Sequence, residues 1–97
     1  MLDKFLIKNN KGIAWRLIDN QAVIVDLKGN TTHIFNAVAT RIWELANGKN
    51  RVSDIVEKIY QEYEVNQGKV EKDCLKCIHQ MRKNALVILS SNPVDEG

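Results

Sequence analysis

Residues 22–46 read AVIVDLKGNTTHIFNAVATRIWELA, and the spacing of the apolar residues changes partway through. Val23, Ile24 and Val25 stand in a row, a β-branched run that suits a strand. Lys28-Gly29-Asn30 follows as a turn, because Gly and Asn tolerate positive φ. Residues 31–35 make a second β-type run. From Asn36 onward the period is 3.6 rather than 2, and Ala39, Ile42, Trp43 and Ala46 fall on one helical face. Asn36 is a good cap for that helix, since its side chain can accept a free N–H of the first turn. Gly48 is the expected stop.

Working outward, residues 13–18 carry Trp15 and Leu17 on one parity and form another short strand, separated from the next by the turn Asp19-Asn20-Gln21. Three short strands with short turns make an antiparallel meander. Downstream, Val52, Ile55, Val56, Ile59, Tyr60 and Tyr63 form a full apolar stripe of a second helix. Asn66-Gln67-Gly68 breaks the chain. A third helix is expected from about Lys69 to Asn84, with Val70, Cys74, Cys77, Ile78, Met81 and Ala85 toward the core. Leu86 to Leu89 is a short apolar exit compatible with a strand. The expected fold class is therefore α+β, a three-stranded antiparallel sheet followed by three helices, as one domain over residues 13–89. Residues 1–12 read as a flexible N-terminal segment and residues 90–97 as a disordered tail. Such a sheet leaves an unpaired edge, which is a ready site for another strand.

Composition excludes several classes. The chain has 97 residues, 44% of them hydrophobic and 27% charged, an ordinary globular mixture for a single domain. A net charge of +2 is too weak to argue for nucleic acid by itself. No apolar run approaches the roughly 20 residues that span a bilayer, and the N-terminus lacks a signal-peptide pattern. Two cysteines without export signals read as reduced thiols, which points to a cytoplasmic protein.

Little in the sequence offers catalysis. His33 and His79 lie on different elements, the acids are scattered, and the glycines do not form a phosphate loop. Cys74-Leu75-Lys76-Cys77 matches C-x-x-C, but both thiols fall inside a helix on its apolar face, where they act as small hydrophobes. A redox pair would normally open a helix, and a structural zinc needs four ligands. No catalytic residue, metal or cofactor is expected, and the chain is not read as an enzyme. The third helix also carries Lys72, Lys76, His79 and Lys83 on its outer face, a solvated surface or, in a second reading, a DNA-facing one. Leu75 and Arg82 project about 100° and 80° from its core direction at 3.6 residues per turn, beside Ile78 and Glu71. They form a half-apolar rim that could wall a groove.

Residues 35–48, FNAVATRIWELANG, resemble the signature of the PqqD family, which reads L-N-x-x-A-x-x-I-W-x-L-x-x-G. Asn36, Ala39, Ile42, Trp43, Leu45 and Gly48 match in register, and Phe35 replaces the usual Leu. Val52, Ile55, Tyr63, Val65, Met81, Leu86 and Val87 fall where that family has apolar or aromatic residues. Ala85 departs from a glycine common near the end of the last helix, and Thr31-Thr32 makes the third strand unusually polar. The resemblance implies a winged-helix-like fold and a non-catalytic role. Family members act as recognition elements for ribosomally made, post-translationally modified peptides. The leader of the precursor adds as a strand to the third β-strand, in a groove bounded by the third helix. The family name does not carry over a quinone pathway.

The resemblance thus implies a stand-alone adaptor that binds a precursor leader and presents it to a separate modifying enzyme, such as a radical-SAM enzyme, a peptidase or a cyclase. The expected contacts are Thr31, Thr32, His33, Ile34 and Phe35 along the strand, with Glu71, Leu75, Ile78 and Arg82 on the helix. Arg82 would meet acidic leader residues with its forked donor. The runner-up is a DNA-binding winged-helix regulator. A third reading is a dimer formed through the open sheet edge.

Overall fold

The computed structural model describes residues 1–63 and 66–94. The elements run β1 (Phe5–Lys8), β2 (Ile13–Ile18), β3 (Gln21–Asp26), β4 (Thr31–Ile34), α1 (Ala37–Leu45), β5 (Asn47–Arg51), α2 (Val52–Tyr63), α3 (Gln67–Lys83) and β6 (Val87–Ser90). The expected meander is present as the antiparallel sheet β2-β3-β4, followed by the three helices. None of the helices among the described residues is long and apolar enough to cross a membrane.

A second antiparallel sheet, ordered β5-β1-β6, was not foreseen. Residues 1–12 are therefore not a flexible segment throughout. β1 is the central strand of that sheet, with Phe5 and Leu6 buried. Its apolar run is only three residues, Phe5-Leu6-Ile7, and its partners lie some forty and eighty positions downstream, so local pattern does not reveal it. Likewise the chain does not stay irregular after α1. Gly48 takes φ 80°, and a Cβ there would collide with Val94, so this backbone position within β5 requires glycine. The tail is docked in part, for the Val94 N–H donates to the Gly48 carbonyl at 2.9 Å. Residues 95–97 of the expected tail lie outside the described residues, as does Val65.

Local chemistry explains the helix ends. The Asn36 side chain accepts from the Ala39 N–H, as its residue type predicts. Asn66, read as part of a break, caps α3 by accepting from the Lys69 N–H. The start of α2 is held by Asp54, whose carboxylate accepts the Arg51 N–H at 2.8 Å. α3 ends through Ala85 at φ 58°, with the Leu86 N–H returning to the Met81 carbonyl.

The core joins both sheets to all three helices. Trp43 is fully buried and is the largest side chain there. Trp15 and Phe35 meet it edge-on, with ring centroids 5.8 and 5.9 Å away. Val70, Cys74, Ile78 and Met81 form the buried stripe of α3, whereas Cys77 is half-buried and Ala85 is exposed beyond the helix.

Candidate peptide-binding edge

β4 is positioned from both ends. At its start, the Asp26 carboxylate accepts the N–H groups of Lys28 and Gly29 at 3.0 and 3.1 Å, which fixes the turn from β3. The register then pairs Asp26 with Thr31, Val25 with Thr32, Ile24 with His33 and Val23 with Ile34. At its end, the buried Thr40 of α1 ties the strand to the helix. Its hydroxyl accepts the Ala22 N–H at 2.9 Å and donates to the Phe35 carbonyl at 3.4 Å. Thr40 is not legible as a tie in the sequence, because a threonine inside a helix carries no signal until its strand partners are known.

One side of β4 is unpaired among the described residues, where its neighbour in the sheet is β3. The Phe35 N–H donates to the Ala22 carbonyl at 2.9 Å. Backbone groups alternate sides along an antiparallel strand, so Thr31 and His33 also face β3. Thr32 and Ile34 turn their N–H and C=O groups to the open edge. The same alternation puts the side chains of His33 and Phe35 on the face of the buried Ile24. Those of Thr32 and Ile34 lie on the opposite face, where Ile34 is 70% exposed.

Just past β4 the surface dips. A depression of about 440 Å³ is lined by Asn36, Val38 and Ala39 at the start of α1 and by Asp73, Lys76, Cys77 and Gln80 of α3. These α3 residues border one side of its buried stripe. The side chosen from sequence is the other one. Arg82 is exposed and lines a depression with His79, Lys83 and β6, not with β4. Leu75 and Glu71 are half-buried, with Leu75 packed against the core. Ile78 is fully buried and presents no surface to a ligand. A helical wheel shows that a stripe has two borders but not which of them faces a given strand.

Other features bear on chemistry. Burial raises both thiols, Cys74 to about 11 with Cys77 and Asp73 adding to the shift. Such groups stay protonated near neutral pH and are poor nucleophiles. Among the described residues, no group of three or more His, Cys, Asp and Glu side chains could hold a metal ion. Lys72, Lys76, His79 and Lys83 are all exposed, but Lys76 borders the depression beside β4 while His79 and Lys83 border the one beside β6.

Comparison with known proteins supplies the remaining context. A search of curated proteins gives no match. Among solved structures the chain is similar to TbiB1 in complex with the TbiA(β) leader peptide, with 27% identity and a TM-score of 0.76, covering 84% of this chain and 93% of that one. It is also similar in fold to lasso peptide synthetase B1 complexed with the leader peptide, with 19% identity and a TM-score of 0.74, covering 87% and 98%. The family model for coenzyme PQQ synthesis protein D matches residues 21–87, from β3 to the first residue of β6. The chain therefore belongs to the PqqD family.

Proposed function

We propose that this protein is a peptide-binding adaptor. It takes the leader segment of a ribosomally made precursor peptide as an added strand on β4 and presents that peptide to a separate modifying enzyme. The observation that carries the reading is the open edge of β4, with the backbone of Thr32 and Ile34 turned outward, together with the depression between α1 and α3 that begins at Asn36, just past the strand. The similarity to TbiB1, whose structure contains a leader peptide, supports it. The proposed contacts are residues 31–35 together with Val38, Asp73, Lys76, Cys77 and Gln80. Of the helix positions expected from sequence, Leu75 and Glu71 are half-buried on the opposite border of the α3 stripe, away from this depression. The adaptor itself carries out no reaction.

Magnitudes define what the leader must bring. Two outward residues offer up to four hydrogen bonds, at about 1 kcal/mol net each. Micromolar affinity needs about 8 kcal/mol. The rest must come from leader side chains, one parity facing the depression and the other lying beside the exposed Ile34. Thr32→Pro tests this directly. It removes an outward N–H while sparing the inward bonds to β3, a replacement that edge strands tolerate. The variant should stay folded and bind leader at least about tenfold more weakly, the loss of one bond together with displacement of its neighbour. Unchanged leader affinity in a folded Thr32→Pro variant would rule out strand addition at β4.

A further inference from the structure

The other sheet also has an open border strand, and α3 packs against it. Among the described residues β6 pairs only with β1, at the border of the sheet β5-β1-β6. The Asn9 N–H donates to the Leu86 carbonyl at 2.9 Å, so by alternation Ile88 and Ser90 face β1. Val87 and Leu89 turn their N–H and C=O groups outward. Along this edge runs a depression of about 790 Å³, lined by Asn9, Ala85, residues 87–89 of β6, and His79, Arg82 and Lys83 from the last turns of α3. Two permanent cations and a histidine border it, and among the described residues no acidic one does. Ile88, on the outer face of the strand, is 52% exposed.

We propose that this edge is a second strand-addition site, which takes an extended acidic segment of a partner protein other than the leader. The geometry sets the pattern of the segment. Side chains of one parity would face Arg82, Lys83 and His79 and should be carboxylates. Side chains of the other parity would lie beside Ile88 and should be apolar. A second copy of this chain does not fit, because pairing β6 with β6 would bring two sets of these basic residues together. Val94, the last described residue, is hydrogen-bonded to Gly48 on β5, at the opposite border of the sheet. β4 and β6 belong to different sheets, so the two edges can be filled at once.

The test uses the isotope-labelled full chain and two synthetic hexapeptides, one alternating Glu with Val and one alternating Lys with Val. The Glu–Val peptide should shift the amides of Val87 and Leu89 and slow their exchange with solvent. The Lys–Val peptide should bind about tenfold more weakly, as should the Glu–Val peptide to the Arg82→Glu/Lys83→Glu variant. Shifts confined to Thr32 and Ile34, silence at Val87 and Leu89, or equal binding of the two peptides would overturn the proposal. Each of these results leaves strand addition of a leader at β4 standing, so the two readings fail separately.

Discussion

Trp43 and the two cysteines are the residues whose roles depend most on burial. Trp43 is fully enclosed and meets both Trp15 and Phe35 edge-on, so it links β2, the exit of β4 and α1. Trp43→Ala should cost about 3–5 kcal/mol, which in a domain this small approaches its whole stability. A denaturant melt measures this, and a loss below about 1 kcal/mol would place the ring outside the core. Cys74 and Cys77 should be slow to react. With its thiol pushed up to about 11, Cys74 has almost no thiolate at neutral pH, and Cys77 is shifted in the same direction. Alkylation near pH 7.5 should lag well behind a free model thiol until denaturant is added. Rapid labelling of the folded protein would revive a redox role for the pair. Trp43 was legible as core in the sequence, because the Ala39–Ile42–Ala46 face points to it. Thr40 was not, because its value lies in bonds to Ala22 and Phe35 that only the folded chain brings within reach.

At the scale of elements, strong periodicity was readable and weak, distant pairing was not. The strands β2, β3 and β4 and the stripes of α1 and α2 follow from spacing within one run of residues. β1 and β5 do not, since Asn47–Arg51 has no strand-like composition and becomes a strand only by pairing with Phe5 and Ile7. α3 is legible as a helix, and Arg82, which the spacing puts on its rim, lines the depression along β6. The end of α3 makes its own prediction. Ala85 holds φ 58°, a left-handed conformation that costs an alanine roughly 1–2 kcal/mol and costs glycine nothing sterically. Ala85→Gly should therefore stabilise the domain by about 0.5–1 kcal/mol, after allowing for the added freedom of the unfolded chain. Thermal or urea unfolding of the pair checks the sign. A destabilised Ala85→Gly variant would mean that this turn is not left-handed in solution.

For the whole molecule, the described residues form two three-stranded sheets and three helices around one core, and border strands β4 and β6 each leave an open edge. The edge at β4 carries the proposed function, and a peptide strand placed there has a specific signature. The most direct measurement is a titration of the labelled protein with the leader segment of a precursor encoded near its gene, followed through backbone amides. The account predicts that Thr32 and Ile34 move most and gain protection from exchange, with smaller shifts at Val38, Asp73, Cys77 and Gln80 across the depression. Perturbations on the outer surface of α2, with β4 silent, would contradict it.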